Sequence, residues 1–508
     1  MSTPTATPAD PTPTPAATRD DRWPPQIKYI VGNEACERFS FYGMKGILVG
    51  YMTGQMLKGG LNMEDDKATS IFHLFVFANY FMPLLGAWLS DKILGRYNTI
   101  LWVSLFYCLG HGVLAMSDLF TSVGGKFNLL CVGLALIAFG AGGIKPCVSA
   151  FMGDQFKSTQ GHLLQKAYGA FYWSINFGSF FSFILIPRIR DAYGYGWAFG
   201  VPGILMGVAT VIFWLGRKHY LRIPPTREIQ RAGFFAVVGY ALSHGHERKL
   251  GQGFWEVARN RFSVHEVDAA KSVGPILSIF ALIPAFWALF DQSNSTWVLQ
   301  GAKMVPVALT GVWKSGFGWF FGDAINAENM QSTNPLLVMM LVPLLTLGIY
   351  PALGRRVTPL RRMGAGMFFA AFSYIIVGWL QQRIEAGEQI SVAWQILPYV
   401  FLTTGEVLIS ATGLEFAFTQ AAPEMKSTIM SFWLLTVAIG NALVSIVTSV
   451  LSTEAGGHSG AVSSGRFYQY AGMTAVVGVF FVLIATRYRY REYTTSLATE
   501  EREIAEAR

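Results

Sequence analysis

Two acids and one arginine lie close together near the start of a long apolar stretch that continues through Met44 to Met56. On an α-helix, Glu34 and Arg38 are four residues apart and share a face, and Glu37 lies on the adjoining stripe. An ionised side chain in the middle of a membrane costs roughly 2.5–3.5 kcal/mol on insertion scales, so such charges need partners and a wet or protein-lined face. A packing salt bridge would need only Glu34 and Arg38. The surplus carboxyl group favours a site that exchanges protons and holds an anion.

The composition is that of a protein that crosses a membrane many times. The chain has 508 residues, of which 52% are hydrophobic and 14% charged, and its mean hydropathy is +0.37. Soluble domains carry about 25% charged residues. The net charge of +8 suits cytoplasmic loops near anionic lipid better than nucleic-acid binding. The sequence has no zinc-ligand spacing and no phosphate-binding glycine loop, and its four cysteines are interpreted as small core residues.

Apolar runs long enough to cross a bilayer occur in two sets of six, one on each side of a polar middle. The first set lies at about 27–57, 68–90, 98–117, 127–150, 163–186 and 196–215, and the second at about 272–299, 334–353, 362–381, 394–419, 427–450 and 467–486. We therefore expect an all-α polytopic membrane protein with twelve transmembrane helices in two six-helix bundles. The expected domains are a disordered tail (1–22), a first bundle (23–216), a cytoplasmic linker (217–271), a second bundle (272–490) and a charged tail (491–508).

Basic residues predict the orientation, because cytoplasmic loops carry an excess of lysine and arginine. They follow the second, sixth, eighth and twelfth runs: Lys92, Arg96, Arg217, Lys218, Arg222, Arg355, Arg356, Arg361, Arg362, Arg487, Arg489 and Arg491. All lie on one side if both termini are cytoplasmic. Within the linker, Phe234 to Leu242 is too short to span and is expected to be a surface helix. Residues 301–322 are aromatic but broken by proline and glycine, which indicates an external loop or a short interfacial piece.

The two sets of runs are also followed by similar loops at equivalent places. The second run exits through Gly86 and on to Gly95-Arg96, and the eighth exits through Gly354 and a similar basic loop. Equivalent loops at equivalent places indicate a six-plus-six repeat, and carriers built in this way bind substrate near the bilayer midplane, between the halves. The first of these loops resembles the glycine-Asp-glycine-Arg loop of the major facilitator superfamily.

Several stretches together resemble the proton-coupled oligopeptide transporter family, over nearly all of residues 25–490. They are Glu34-Ala35-Cys36-Glu37-Arg38 with Phe41-Tyr42-Gly43, Gly142-Gly143-Ile144-Lys145-Pro146 with Gly153-Asp154, Phe171-Tyr172-Trp173-Ser174-Ile175-Asn176-Phe177-Gly178-Ser179, Phe286-Trp287 with Asp291-Gln292, and Gly405-Glu406-Val407 with Gly413-Leu414-Glu415-Phe416. The last two are closer to animal members than to many bacterial ones. Bacterial members often carry two extra helices between the halves, and the polar middle of this chain has no room for them.

The resemblance implies a proton-coupled symporter in the cell membrane, with both termini cytoplasmic, that imports di- and tripeptides by alternating access. It needs no cofactor or metal, because the proton gradient drives it, and we expect a monomeric functional unit in the lipid bilayer. An alternative is a carrier of the same fold for another small solute, such as nitrate, a plant hormone or a peptide-like drug. Nitrate-type relatives commonly lack the Glu-x-x-Glu-Arg charges. An enzyme is not expected, because no intramembrane nucleophile–base pair or metal cluster is evident, and a receptor would need an output domain.

The resemblance also implies site residues. Those expected in proton coupling are Glu34, Glu37, Arg38, His73, Lys145, Asp291 and Glu406, and those expected to bind peptide are Arg38, Tyr42, Tyr80, Lys145, Asn176, Trp287, Asn334, Glu406 and Trp433. Cationic groups would take the peptide carboxylate, and Glu406 with Asn334 beside it would take the ammonium group. Asn176 would bond the peptide carbonyl, and the aromatic side chains would line tolerant side-chain pockets.

Most of these residues also have a purely structural interpretation. Lys145 could extend to the membrane interface, or form a structural bridge with Glu406. His73 could be a satisfied core histidine, and Asp291 could make a helix-stabilising contact instead of lining the site. Glu415, nearer the cytoplasmic end, could be structural or part of a gate.

Overall fold

The computed structural model describes residues 21–157, 160–225, 233–248, 252–354, 357–422, 425–454 and 460–490. The two predicted terminal tails lie almost entirely outside these residues. Helices dominate the described chain, and two two-residue strands pair with each other.

Six long helices form the first half of the molecule: α1 (Ile27–Thr53), α2 (Asp65–Leu89), α3 (Arg96–Ala115), α4 (Val123–Gly153), α5 (Gly161–Tyr193) and α6 (Tyr195–Leu215). The linker contains α7 (Phe234–Ser243) and α8 (Phe254–Ala258). The second half contains α9 (Val264–Phe280), α10 (Pro284–Phe290), α11 (Thr296–Ala302), β1 (Val307–Ala308), α12 (Gly311–Phe321), β2 (Ala324–Ile325), α13 (Ala327–Met330), α14 (Thr333–Pro343), α15 (Tyr350–Leu353), α16 (Pro359–Glu385), α17 (Ile396–Gln420), α18 (Lys426–Glu454) and α19 (Ser464–Arg487). Two π-helical stretches, Ser90–Leu94 and Leu344–Ile349, continue α2 and α14.

The helices account for the predicted spans with one break. Among the described residues, ten helical segments are long and apolar enough to cross a membrane. Helix α9 and the segment Pro284–Ala302, bent by 44° to each other, pass the same test together and make an eleventh span if they are counted as one. The bend falls where Pro284 starts α10, because proline has no N–H to continue the helical hydrogen bonds. The remaining long helix is α1, whose 27 residues are sufficient to span but include several charges.

Glycines allow α2 and α4 to pack backbone against backbone. A side chain added at Gly86 would meet the carbonyl oxygen of Gly143, and one added at Gly142 would meet α2 at Asn79. Small residues at such crossings are typical of membrane helices, where close packing replaces the hydrophobic driving force. The glycines beside Lys145 therefore admit the backbone of α2.

The two halves meet along two related pairs of helices, α2 with α18 and α5 with α14. A matching pair of ionic contacts supports the internal repeat. In the first half, Arg96 Nη1 at the start of α3 lies 2.5 Å from Asp154 at the end of α4. In the second half, Arg362 Nη1 near the start of α16 lies 3.6 Å from Glu415 near the end of α17. Glu415 therefore makes a structural contact, which is one of the two roles considered for it.

Residues 303–326 form a hairpin with a helix at its tip. Strand β1 pairs antiparallel with β2, with Val307 opposite Ile325, and α12 lies between them. No side chain of α12 is buried, although it carries Trp313 and Trp319. The exposed α12 agrees with the expectation of a loop or interfacial piece for residues 301–322. In the linker, α7 agrees with the expected surface helix.

The cysteines differ from one another in exposure. All four are free, and Cys147 is buried, whereas Cys131 is exposed on α4. The interpretation as small core residues therefore fails for Cys131.

Candidate functional site

A cavity of about 180 Å³ lies between the two halves. Helices α1, α2 and α5 supply one wall, and α10, α14 and α17 supply the other. Seven of the residues expected to be functional line it: Tyr42, Tyr80, Asn176, Trp287, Asp291, Asn334 and Glu406. Arg38, Lys145 and Trp433 were expected to bind peptide but do not line this cavity.

The Glu-Glu-Arg cluster on α1 is buried and internally paired. Glu34, Glu37 and Arg38 are only 2%, 2% and 6% exposed. Arg38 Nε donates to Glu34 Oε1 at 2.7 Å. The same nitrogen is 2.7 Å from Glu37 Oε2, but this contact lacks hydrogen-bond geometry, and both Glu37 oxygens have no hydrogen-bond partner among the described residues. The arginine thus forms an ion pair with both carboxylates but hydrogen-bonds well to only one of them.

Lys145 lies directly behind one wall of the cavity. Its Nζ is 4.0 Å from the centre of the Tyr80 ring and 5.3 Å from that of Phe41, distances typical of cation–π contacts. The ammonium group is buried and has no hydrogen-bond partner among the described residues. It therefore matches neither structural alternative, an extension to the interface or a bridge to Glu406, because tyrosine and phenylalanine rings enclose it instead.

The second half presents an acid and an amide to the cavity. Asn334 Nδ2 donates to Glu406 Oε2 at 2.6 Å and to Thr403 Oγ1 at 3.1 Å. The expected placement of Asn334 beside Glu406 is therefore confirmed. On the opposite wall, Asn176 Nδ2 donates to the Tyr172 carbonyl at 3.0 Å, within its own helix. This bond holds the Asn176 side chain in place at the cavity surface.

The two predicted tryptophan walls behave differently. Trp287 lines the cavity, and its ring centre lies 6.3 Å from that of Trp433 in an edge-on arrangement. Trp433 is 4% exposed and packs against Phe280 and over Gly413. Because Gly413 has no side chain, the Trp433 indole fills the space there and supports Trp287 from behind.

A buried polar network joins the halves beside the cavity. Lys45 Nζ donates to Asp291 Oδ1 at 2.8 Å, and Asn441 Nδ2 donates to Asp291 Oδ2 at 2.8 Å. His73 Nδ1 lies 2.7 Å from Asn441 Oδ1, and His73 Nε2 lies 2.9 Å from Ser295 Oγ. Asp291 therefore both lines the cavity and makes a structural contact, and His73 has partners at both ring nitrogens.

Further cross-half contacts gather at one end of the molecule, where α1 ends at Thr53 and α2 begins at Asp65. We call this the distal end. Arg190 on α5 forms an ion pair with Glu328 on α13. Gln331 Nε2 donates to the Gly46 carbonyl at 2.9 Å. The distal ends of the two halves are thus held together by buried polar bonds.

Sequence reasoning overlooked several of these groups. Lys45 was included in an apolar run, although it lies seven residues after Arg38 and so falls on a similar helix face. Asn441, Ser295 and the Arg190–Glu328 pair were also missed. Asn441 is a single amide inside an apolar helix, and such groups in membrane spans usually mark a polar partner.

The chain is similar to proteins of known family and structure. The POT family model, PTR2, matches residues 97–462. Peptide transporter 3 of Caenorhabditis elegans is 37% identical over 377 residues, 72% of this chain and 51% of that protein. Solute carrier family 15 member 2 of Homo sapiens is 35% identical over 412 residues, 77% of this chain and 54% of that protein. The chain thus spans about half the length of these curated relatives.

Two solved structures match almost the whole fold. The crystal structure of an auto-inhibited POT family peptide transporter has a TM-score of 0.80 at 41% identity, covering 92% of this chain and 98% of that one. The POT family transporter PepTSo, crystallised in meso, has a TM-score of 0.79 at 40% identity, covering 92% and 99%. These matches confirm the expected fold and the resemblance carried by the sequence motifs. The chain belongs to the POT family of transporters.

Proposed function

We propose that this protein is a proton-coupled symporter that imports di- and tripeptides across the cell membrane by alternating access. One observation supports this most directly. The cavity between the halves has the Glu406 carboxyl group on one wall. Just behind the Tyr80 ring on the other wall lies the Lys145 ammonium group, which has no hydrogen-bond partner in the described part of the chain. A short peptide is a zwitterion and needs a charge of each sign at its ends.

The binding assignments follow from this placement. Glu406 and Asn334 would hold the peptide ammonium group, and Asn176 would bond a peptide carbonyl. Lys145 would take the carboxylate once Tyr80 moves aside, with Arg38 as a second cationic donor. Tyr42, Tyr80 and Trp287 would line side-chain pockets, supported by Trp433.

Proton coupling would act through Arg38. While Glu34 and Glu37 are ionised, both neutralise the guanidinium group of Arg38. Protonation of one of them weakens the attraction between that carboxyl group and the guanidinium group. Arg38 then binds a peptide carboxylate more tightly, which supplies the differential affinity between states that coupling requires. One charge that moves through a potential of 100 mV gains about 2.3 kcal/mol of free energy, and a gradient of one pH unit adds about 1.4 kcal/mol. Together these would support accumulation of roughly several hundred-fold per proton.

The same proposal includes the arrangement in the membrane. With both termini cytoplasmic, the distal end faces outward, and the Lys45–Asp291 and Arg190–Glu328 contacts close it. Residues 23–216 and 272–490 would move relative to each other as two bundles joined by the linker. The functional unit would be a monomer, with the proton gradient as its driving force and no cofactor.

The decisive experiment is uptake of labelled dialanine into sealed liposomes containing the purified protein, under an imposed pH gradient and potential. Longer peptides compete in parallel samples, and the accumulated label is checked for intact dipeptide. Glu34→Gln and Glu37→Gln should lose gradient-driven uptake but keep exchange of peptide for peptide. Glu388→Gln, at an exposed acid paired with Arg383, is the matched control. Absence of intact dipeptide inside at any gradient would refute the function, and full acid-driven uptake in both variants would refute the role of the two acids.

A further inference from the structure

A second buried polar group adjoins Glu37 from the neighbouring helix. Tyr107 on α3 is fully buried, and its hydroxyl faces the Glu37 carboxyl group. Neither the Tyr107 hydroxyl nor the Glu37 oxygens make a hydrogen bond of good geometry to any described residue. Unsatisfied buried polar atoms are costly, so their occurrence side by side needs an explanation.

His111, one helical turn further along α3, extends this group. It is fully buried, and its ring stacks on Tyr107 with centres 5.1 Å apart and planes inclined by 22°. His111 Nε2 lies 3.0 Å from Ser40 Oγ, and Ser40 Oγ donates to the Pro202 carbonyl at 2.7 Å. Because a hydroxyl has one hydrogen, Ser40 must accept from Nε2–H of the neutral ring. His111 Nδ1 is then an acceptor, and it has no partner among the described residues.

All members of this group belong to the first half. Glu37 and Ser40 lie on α1, Tyr107 and His111 on α3, and Pro202 on α6, which packs against both α1 and α3. The other titratable groups that influence Glu37 or Tyr107 are also on first-half helices: Glu34, Arg38, Lys145 and Cys108. By contrast, the network through His73 and Asp291 crosses between the halves and must break when they separate.

We propose that Tyr107 and His111 complete the proton site at Glu37. Tyr107 donates its hydroxyl hydrogen to the ionised carboxylate. When Glu37 is protonated, the carboxyl O–H donates to the Tyr107 oxygen instead, and the Tyr107 hydrogen turns away from Glu37, toward the side where the His111 ring is stacked. The only bonds exchanged are hydrogen bonds, and the one added proton resides on Glu37. Tyr107 and His111 are thus positioning residues that serve both states of the acid, whichever way the cavity opens.

The two residues have opposite expected effects, which gives a sharp test. A hydrogen bond to an ionised group is about twice as strong as a neutral one. Tyr107→Phe therefore disfavours ionised Glu37 more than protonated Glu37, and the midpoint pH of gradient-driven uptake should rise by roughly one unit. His111→Gln keeps a donor for Ser40 but exchanges the Nδ1 acceptor of the stacked ring for an amide oxygen in a different position, so the midpoint should fall.

The experiment measures dialanine uptake into liposomes across a pH series, with peptide-for-peptide exchange as a parallel readout that needs no net proton movement. Tyr374→Phe is the control, because Tyr374 is equally buried but donates to the Leu289 carbonyl in the second half at 2.7 Å. Opposite midpoint shifts with exchange retained in both variants support the site. If Tyr107→Phe does not fold, the fall in midpoint for His111→Gln carries the test alone.

This inference rests on the proposed function, but the two can fail separately. Wild-type protein that moves no intact dipeptide refutes the proposed function. Wild-type transport with unshifted midpoints in the variants refutes only the roles of Tyr107 and His111. An equal shift in Tyr374→Phe would also overturn them, because any lost buried hydroxyl would then have the same effect.

Discussion

The Lys45–Asp291 ion pair should be a major contributor to closure of the distal end. Both side chains are 4% exposed, and the pair bridges the two halves at 2.8 Å. Removing one partner of a buried pair costs about 3–5 kcal/mol, because the other charge is left buried and unpaired. If opening of the distal end lets the remaining charge reach water, the whole cost falls on the closed state. Lys45→Met should then shift the closed-to-open ratio by roughly a hundred- to several-thousand-fold.

A double-mutant cycle separates this pairing from general damage. Lys45→Met combined with Asp291→Leu leaves no unpaired charge, and the remaining loss is the Asn441 amide hydrogen bond to Asp291, worth about 1–3 kcal/mol. The double variant should therefore be more closed than Lys45→Met alone. The exposed pair of Lys303 with Asp65, 3.4 Å apart, provides the matched control, and Lys303→Met should change the ratio by less than about tenfold.

The assay is a distance distribution between spin labels at Leu57 and Gln389, which are both exposed and lie at the distal end of opposite halves. Cys131 is first replaced by serine, because it is exposed and would also take a label. Lys45→Met should populate a longer distance at the expense of the shorter one. An unchanged distribution in Lys45→Met would refute the reasoning, and so would a double variant that opens as far as the two single variants combined.

Two further variants test the cavity and the helix packing. Glu406→Gln keeps an acceptor for Asn334 but removes the charge, so the concentration for half-maximal dialanine uptake should rise about ten- to a hundredfold while thermal stability is unchanged. Unaltered uptake would exclude Glu406 as the ammonium partner. Gly86→Ala should lower the free energy of unfolding by about 1–3 kcal/mol, because the new methyl group meets the Gly143 backbone. Gly112→Ala, with open space around it, is the control in a thermal melt in detergent, and equal melting temperatures would contradict the close packing.

The fold was largely predictable because membrane spans are long and their signals are strong. Apolar length located most helix ends closely, although α5 ends at Tyr193 instead of about 186 and α9 begins at Val264 instead of about 272. The break at Pro284 was not anticipated, because a span interrupted by proline has the same hydropathy as a straight one. Its position depends on how neighbouring helices satisfy the freed backbone groups.

The site was predictable in its residue types but less so in its pairings. Family resemblance correctly brought Glu406, Asn334, Asn176 and Trp287 to one cavity. It did not show that Lys145 would be enclosed by aromatic rings, because such contacts depend on side-chain rotamers and on the conformation captured. Lys45 was hidden by the apolar residues on both sides of it, and its role emerges only when α10 brings Asp291 within reach.

The 44° bend between α9 and Pro284–Ala302 gives this span two separate axes. Its distal segment is fixed to α18, where Gly440 lies against the Pro284 carbonyl, and it bears Trp287 and Asp291. A change of angle at residues 281–283 would move the proximal segment, α9, without displacing the segment that carries Asp291 and its pair with Lys45. Opening at the end of the molecule away from the distal contacts would then not by itself break that pair.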